Sequence, residues 1–337
     1  MTAVLDRIDY RLERFKLFNE LGGKFRLGVV NICNLDCFFC HNEAMPNPRR
    51  LPKSPNSPLD LEDLLGLVDA WTGLGGRQVN LTGGEPMAWR GLPELLERLE
   101  KRESRIMLNT NALLADRLLK VPKFEKLDGM LASLHTTNED DFERDLGKRG
   151  AAKVMRNIVA LRDHGYAMSI NYSLGPWNRD EFSKVLEYAV GNRVPLKVIA
   201  LVRPNESDDF YRGDWVDPKF VTERLDDVGA RFHSEESSFG GRKKVYYADG
   251  VKVQVKNVAE GRLRTDFCKG CAYEAKCGEG IYGLRVGVDG VFKPCLLRRD
   301  KFKNVDRRLT YREQVLDHIA AMVGDWDNIR FATGSPE

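Results

Sequence analysis

Three cysteines near the start of the chain, Cys33, Cys37 and Cys40, have the spacing C-x3-C-x2-C. Thiolates at this spacing can hold three irons of a cubane [4Fe–4S] cluster, whose irons take cysteine ligands. The fourth iron then has no protein ligand and can bind another molecule. A structural zinc site is closed by four ligands, so three tightly spaced cysteines fit zinc poorly. The spacing therefore predicts an iron–sulfur cluster with one open coordination position.

A second motif, Gly83-Gly84-Glu85-Pro86, follows a short apolar stretch farther along the chain. Glycine lacks a Cβ atom and lets the backbone approach a ligand closely, and a carboxylate here can pair with an ammonium group. Alone, such a sequence is typical of a plain turn. Its position soon after the cysteines favours a ligand-binding role.

Together these motifs resemble the radical S-adenosylmethionine (SAM) superfamily, in which the open iron binds the amino and carboxylate groups of SAM. The resemblance implies SAM and a [4Fe–4S] cluster as cofactors. It further implies that the Gly-Gly-Glu-Pro motif holds the methionine part of SAM and that an aromatic residue lies against its adenine. The positions that match the family's SAM contacts are Phe39, Gly83, Gly84, Glu85, Ser133 and Asn171. From the residues alone, Phe39 could also be a core residue, and the polar residues could cap helices.

The elements that must position these motifs alternate between short apolar strands and amphipathic helices from residue 26 to about 205. Six such units predict an α/β fold with a parallel sheet, whose ligands bind at the carboxyl ends of the strands. The superfamily resemblance implies a partial (β/α)6 barrel. We expect a radical SAM core over 1–205, a β-rich auxiliary module over 206–300, and a C-terminal helix and tail over 301–337.

A second group of cysteines, Cys268, Cys271, Cys277 and Cys295, lies in the predicted auxiliary module. Asp249-Gly250 and Asp289-Gly290 predict two hairpins there, because Asp-Gly readily adopts the positive φ angles of tight turns. The module resembles the auxiliary-cluster modules called SPASM and twitch, which implies a second [4Fe–4S] cluster. A structural zinc ribbon is the alternative, since these four cysteines also form a suitable tetrahedral set.

Composition limits the other functional classes. The chain has 337 residues, a formal net charge of +3 and a sequence pI near 8.4, without the clustered basic surface expected of a nucleic-acid-binding protein. No apolar stretch approaches the ~20 residues of a membrane span, and the charged N-terminus has no apolar signal core. We therefore expect a cytoplasmic protein without nucleic-acid or membrane partners. In a reducing compartment, seven cysteines indicate metal binding rather than disulfides.

The order of the motifs resembles the GTP 3′,8-cyclases of molybdenum cofactor synthesis. This resemblance implies that three basic residues bind the substrate: Arg26, Lys197 and Arg285. Three other matched positions lack the basic residue of the cyclases: Asn80, Ser169 and Gly283. Because a triphosphate requires several cations, we expect a related pocket that takes a different nucleotide or a nucleotide sugar rather than GTP. Arg26 and Lys197 could also be solvated surface charges.

The resemblance therefore implies an enzyme that cleaves SAM to a 5′-deoxyadenosyl radical, abstracts hydrogen from a nucleotide substrate, and forms a C–C bond or a ring. A reductant such as flavodoxin or ferredoxin is an implied partner. One alternative is a peptide-modifying enzyme that forms thioethers or epimerises residues. Another is a non-catalytic iron–sulfur electron carrier, which would have no use for the Gly-Gly-Glu-Pro motif.

Overall fold

The computed structural model describes residues 2–40, 59–201, 216–238, 241–274, 277, 279–281 and 283–333. Within these ranges the helices are α1 Thr2–Glu20, α2 Leu61–Gly73, α3 Leu92–Arg98, α4 Asp116–Leu119, α5 Glu139–Leu146, α6 Ala151–Asp163, α7 Phe182–Gly191, α8 Lys219–Asp227 and α9 Tyr311–Val323. The strands are β1 Lys24–Val30, β2 Gln78–Gly83, β3 Arg105–Thr110, β4 Leu127–Ser133, β5 Met168–Leu174, β6 Leu196–Ala200, β7 Arg231–Ser238, β8 Gly241–Ala248, β9 Val251–Lys256, β10 Arg262–Arg264, β11 Gly283–Val286, β12 Val291–Lys293, β13 Lys303–Asn304 and β14 Arg330–Ala332.

One large sheet contains all of these strands except β10 and β14, in the order β13-β12-β11-β1-β2-β3-β4-β5-β6-β9-β8-β7. The strands from β11 through β1–β6 to β9 are parallel to their neighbours. Antiparallel strands extend both ends of this parallel portion. The sequence-based prediction of an α/β fold with a partial barrel of six βα units is confirmed.

The parallel strands mostly place apolar side chains on their helix-covered face, and polar side chains are concentrated on the other face. On β1, Phe25 and Leu27 are fully buried, and the ring of Phe25 stacks on Trp71 of α2 at a centroid distance of 5.4 Å. Successive side chains of a strand point to opposite faces, so Lys24 and Arg26 lie on the inner face of the barrel. This alternation gives the barrel a polar, partly charged interior.

The sheet is curved enough to bring its distant strands together across this interior. Six strands lie between β1 and β8 in the sheet. Even so, the charges of Lys243 on β8 and Lys256 on β9 help to lower the pKa of Lys24 on β1. Charges interact strongly only over short distances, so β1 faces the β8–β9 hairpin across the barrel.

Both predicted hairpins are present in the C-terminal region. Asp249 and Gly250 have positive φ angles of 46° and 78° between β8 and β9, and Asp289-Gly290 connects β11 to β12. The two hairpins join opposite sides of the parallel strands, at β6 and at β1. The strands of these two hairpins therefore continue the sheet of the barrel.

Helix α9 lies within 301–337, where the sequence predicts a C-terminal helix and tail, and it packs against α1 and α2. Asp63, which completes the N-terminal capping box of α2, also pairs with Arg307 and accepts a hydrogen bond from the Tyr311 hydroxyl. These contacts fix the C-terminal helix on the outside of the barrel. None of the described helices is both long and apolar enough to cross a membrane.

Candidate active site

The cysteine loop, residues 31–40, follows the carboxyl end of β1. Cys33 and Cys40 are exposed, and Cys37 is half-buried. Burial raises the pKa of Cys37 well above its usual value, and the neighbouring Cys40 and Cys33 raise it further. The three sulfur atoms therefore lie close enough to influence one another's ionisation, and a metal that stabilises thiolates would relieve this cost. The donor set fits the predicted [4Fe–4S] cluster.

The carboxyl end of α5 anchors the cysteine loop. The N–H of Asp36 donates to the carbonyl of Leu146 at 3.0 Å, and the N–H of Phe38 donates to the carbonyl of Asp145 at 3.2 Å. Gly147 ends α5 with a positive φ of 78°, and a Cβ atom there would lie 3.3 Å from the Cβ of Asp36. Helix α5, which the sequence did not predict, thus holds the cluster loop in place.

The two glycines of the Gly-Gly-Glu-Pro motif pack directly against the start of the cysteine loop. A Cβ atom on Gly83, whose φ is +138°, would lie 2.4 Å from the carbonyl oxygen of Val30, and one on Gly84 would lie 2.2 Å from that of Ile32. This approach allows the N–H of Gly84 to donate to Val30 at 2.8 Å and that of Glu85 to Ile32 at 2.9 Å. The glycines therefore connect the two predicted SAM-binding loops.

The Glu85 carboxylate is fully buried beneath this junction. It accepts hydrogen bonds from the Met87 N–H at 2.9 Å, the Thr110 hydroxyl at 2.7 Å and the Asn111 N–H at 2.6 Å. Burial raises the pKa of Glu85, and the hydrogen bonds from Asn111, Thr110 and Met87 oppose that shift. The geometry therefore indicates that Glu85 positions the loops that follow β2 and β3. A direct contact between Glu85 and SAM remains a prediction.

We expect Glu85→Ala to weaken SAM binding by about 1.5–3 kcal/mol, because the loops around the cluster would lose their common acceptor. The free energy of unfolding should also fall, by about 1–3 kcal/mol for each donor that stays buried without a partner. Calorimetric SAM titration and denaturant unfolding measure the two effects. Glu85→Gln, which keeps the volume, is the matched variant. SAM affinity equal to that of the wild type in Glu85→Ala would contradict the assignment.

The stretch after β3 forms a third part of this junction. The Asn111 side chain donates to the side-chain oxygen of Asn34 at 2.8 Å, and its nitrogen lies 4.0 Å from the sulfur of Cys33. Ala112 has a positive φ of 59°, and its carbonyl accepts a hydrogen bond from the side chain of Asn157 at 2.7 Å. Asn34 and Asn111 therefore belong to the candidate site.

Phe39 lies buried in a cluster of aromatic side chains. Its ring stacks on Trp177 at a centroid distance of 4.9 Å and meets the edges of His135 and Phe38 at 5.1 and 5.2 Å. The sequence left open whether Phe39 is a core residue or an adenine contact. The structure shows the packing, and the adenine contact remains a prediction.

By strand position, the sequence predicts that His135, Tyr172 and Glu43 lie near the pocket. The first two have defined hydrogen-bonding states. His135 accepts a hydrogen bond at Nδ1 from the Ser173 N–H at 3.1 Å, so the proton of its neutral ring is on Nε2. Burial lowers the pKa of His135 to about 4, which keeps the ring neutral. The Tyr172 hydroxyl donates to the carbonyl of Asn178, and burial raises its pKa. A third candidate, Glu43, lies outside the described residues.

The predicted SAM contacts on β4 and β5 are aligned with a predicted substrate cation. Ser133 pairs in register with Asn171, and Asn171 pairs with Lys197 of β6. Register partners in neighbouring strands share a face of the sheet. The structure therefore places these three residues in one row across the inner face.

A cluster of basic residues, which we call the cation cluster, surrounds Lys197. Burial lowers the pKa of Lys197 well below its usual value, and the charges of Lys24, Lys256, Lys243 and Arg26 lower it further. The pKa values of Lys24 and Lys256 both fall to about 8, with burial as the largest cause. Only Arg26 and Lys197 of these five were predicted as substrate residues, so counting aligned positions underestimated the positive charge of the pocket.

Arg285, the third predicted substrate residue, lies in register with Arg26 at the edge of this cluster. Its side chain is 1% exposed and forms an ion pair with Glu279, which is 4% exposed. Glu279 also acts to raise the pKa of Lys256. Among the described residues, one buried carboxylate thus lies beside several basic side chains.

Cys268, Cys271 and Cys277 of the second cysteine group lie near one another. Burial raises the pKa of Cys268, and the neighbouring Cys277 and Cys271 contribute to the shift. Cys295 is buried, which raises its pKa to about 12, and its sulfur accepts a hydrogen bond from the Arg298 N–H at 3.2 Å. The donor set suits a second iron–sulfur cluster, which remains a prediction.

In the described part of the chain, no three His, Cys, Asp or Glu side chains are close enough to hold one metal ion. An iron–sulfur cluster does not need such convergence, because each thiolate binds a separate iron. Cys271 and Cys295 both help to raise the pKa of Arg298, and Arg264 acts to lower the pKa of Cys268. Positive side chains thus lie beside the second cysteine group.

Comparison with known proteins identifies the class to which this site belongs. Residues 27–189 match the family described as Radical SAM superfamily, so this part of the chain is a radical SAM domain. This family implies one [4Fe–4S] cluster and SAM, for which the cysteine loop supplies the expected thiols.

Among curated proteins, the chain is similar to two named "Probable GTP 3',8-cyclase". The one from Thermococcus kodakarensis is 28% identical over 82% of this chain and 85% of that protein. The one from Methanococcus vannielii is 24% identical over 88% and 92%. The predicted resemblance is confirmed at this level of identity.

Solved structures share the fold. Streptococcus suis SuiB bound to precursor peptide SuiA has a TM-score of 0.62 and 14% identity over 96% of this chain and 70% of that chain. Native anSMEcpe with bound AdoMet has a TM-score of 0.55 and 16% identity, over 90% and 82%. These likenesses confirm the radical SAM fold of the chain.

Proposed function

We propose that this radical SAM enzyme abstracts a hydrogen atom from a nucleotide or a nucleotide sugar, and that the resulting substrate radical undergoes C–C bond formation or cyclisation. The observation that carries the proposal is the cation cluster, which is continuous with the row of Ser133, Asn171 and Lys197 on the inner face. Phosphate groups are the anions that such a set of lysine and arginine side chains binds. The similarity to probable GTP 3′,8-cyclases supports the same class of substrate.

When bound, the cluster and SAM supply a 5′-deoxyadenosyl radical. The chain itself contributes the geometry: the Gly83–Gly84 junction sets the distance between the two loops, and Glu85 fixes the loops after β2 and β3. Burial lowers the pKa of His135 to about 4, so its ring is neutral near pH 7, with the proton on Nε2 and Nδ1 accepting from the Ser173 N–H. The residues of the pocket are thus suited to binding and orientation.

We further propose that the second cysteine group holds an auxiliary [4Fe–4S] cluster in a twitch- or SPASM-like module. The four thiols lie in or beside the hairpin region that continues the barrel sheet through β11. An electron donor such as flavodoxin or ferredoxin is then the partner that reduces the enzyme. We also keep the prediction of a cytoplasmic protein.

Substrate class is tested by anaerobic incubation of the reconstituted protein with SAM, dithionite and deuterated candidate substrates. We expect deuterium in 5′-deoxyadenosine with an anionic nucleotide or nucleotide sugar, because only an anion matches the cation cluster. The panel includes GTP, nucleoside monophosphates, nucleotide sugars and, for the alternative of peptide modification, cysteine-containing peptides. Deuterium transfer from a peptide alone would contradict the proposal, and 3′,8-cyclised GTP would identify a GTP cyclase instead.

A further inference from the structure

Arg285 differs from the lysines of the cation cluster because its side chain is paired with a carboxylate. The resemblance to the GTP 3′,8-cyclases implies that Arg285 binds the substrate. In the structure its guanidinium is buried against the Glu279 carboxylate and donates to the Gly283 carbonyl at 3.3 Å. A guanidinium already paired with a buried carboxylate adds little net positive charge for a ligand. The binding of an anion must therefore depend mainly on other cations.

Three lysines are better placed for that role. Lys24, Lys197 and Lys243 lie on β1, β6 and β8, on strands that face one another across the barrel. In the described part of the chain, none of the three has a carboxylate within ion-pair distance. A bound anion can therefore pair with all three, and by favouring the charged form it would raise the lowered pKa values of Lys24 and Lys197.

The register of the β8–β9 hairpin supplies an independent observation. Lys243 lies directly opposite Lys256 in this antiparallel pair. Like charges placed directly opposite each other destabilise a sheet. The next residue, Lys244, lies opposite Val255 on the other face and is paired with Glu260 at 2.7 Å. The hairpin thus pairs its outer lysine with a carboxylate and places two lysines directly opposite each other on its inner face.

We infer that Lys24, Lys197 and Lys243 bind the phosphate groups of the substrate, and that Arg285 holds Glu279 rather than the substrate. The inference rests on the proposed function, because it names the residues that select its anionic substrate. The lysines come from three strands and surround a bound anion from different sides. A di- or triphosphate engages more of them than a monophosphate does, so affinity should rise with the number of phosphate groups.

The test compares Lys243→Ala with Lys244→Ala, two neighbours on opposite faces of β8. The probe is inorganic tripolyphosphate, titrated calorimetrically into the anaerobically reconstituted full chain at fixed ionic strength. We expect Lys243→Ala to weaken binding about tenfold or more, because it loses a charge-assisted contact. Lys244→Ala should stay within about twofold of the wild type, since its charge is already paired at the surface. Inorganic phosphate should bind more weakly than tripolyphosphate to the wild type.

Thermal unfolding without the anion supplies a second readout. Lys243→Ala should unfold at the same or a higher temperature than the wild type, because it removes a like-charge pair. Weaker binding together with unchanged or higher stability distinguishes a ligand-binding lysine from a structural one. Glu279→Gln should strengthen tripolyphosphate binding, because it frees the charge of Arg285 without changing the side-chain volume.

Two results would overturn the inference: tripolyphosphate affinity of Lys243→Ala within twofold of the wild type, or equal losses in Lys243→Ala and Lys244→Ala. Equal losses in the two variants would show only that the total charge of the protein affects tripolyphosphate binding. The titration requires neither SAM nor an electron donor. Failure of the wild type to cleave SAM would therefore refute the proposed function and leave this measurement readable.

Discussion

Replacing Cys33, Cys37 and Cys40 together by alanine should remove about four of about eight irons from the anaerobically reconstituted protein and abolish formation of 5′-deoxyadenosine from SAM. The three thiols share one loop at the carboxyl end of β1, and Cys33 and Cys40 are exposed towards any bound group. No other described cysteine lies on this loop to replace them. Iron and sulfide analysis, visible absorbance and product chromatography measure the result.

The matched variant replaces Cys268, Cys271, Cys277 and Cys295 by alanine. It should retain about four irons. Its electron paramagnetic resonance spectrum should still change when SAM binds an iron of the reduced cluster. Stoichiometric zinc and no sulfide in the second cysteine group would contradict the proposed auxiliary cluster. Loss of that SAM-dependent spectral change in this variant would contradict the assignment of the first cysteine group as the SAM-binding one.

Much of the barrel was predictable because its signals are local. Buried residues at helical spacing, Val154, Ile158 and Leu161, marked α6, and the Asp-Gly turn at Asp249 marked the β8–β9 hairpin. Helix α5 was missed because six of its eight residues are charged, in the run Glu-Asp-Asp-Phe-Glu-Arg-Asp-Leu. Its position depends on Asn138, which caps its first turn, and on tertiary packing of Phe142.

The candidate site was predictable where the ligands follow one another in sequence. The cysteine loop and the Gly-Gly-Glu-Pro motif are each confined to a few residues, so spacing alone revealed them. The cation cluster is different, because it requires curvature of the whole sheet to bring β1 next to β8 and β9. Lys243 and Lys256 were therefore not recognised, and the burial of Glu279 beside Arg285 could not be inferred from either residue alone.

The role of the two glycines could not be read from the sequence for a similar reason. A glycine pair indicates a close approach but does not name the neighbour. In the structure that neighbour is the backbone of residues 30–33, so the motif controls the position of the cluster loop. Because of this contact, we expect that a single methyl group added to the motif disturbs the metal site, although the motif supplies no metal ligand.

Gly84→Ala should impair cluster assembly and SAM cleavage although every cysteine is retained. Its Cβ would lie 2.2 Å from the Ile32 carbonyl oxygen and 2.9 Å from the nitrogen of Cys33, distances that force the two backbones apart. The hydrogen bonds from Gly84 to Val30 and from Glu85 to Ile32 would lengthen or break. We expect the free energy of unfolding to fall by about 1–3 kcal/mol and the rate of SAM cleavage to fall at least tenfold.

The matched control is Gly73→Ala, at the last residue of α2, where an added Cβ would meet no atom within 4 Å. Alanine favours the helix over glycine by about 1 kcal/mol, so this variant should be as stable as the wild type or more so, with normal iron content. Iron analysis, SAM cleavage and denaturant unfolding of the two variants side by side separate a general glycine effect from the specific contact. If Gly84→Ala assembled its cluster and cleaved SAM like Gly73→Ala, the loop junction would not set the geometry of the site, and the positioning role of Glu85 beneath it would lose its basis.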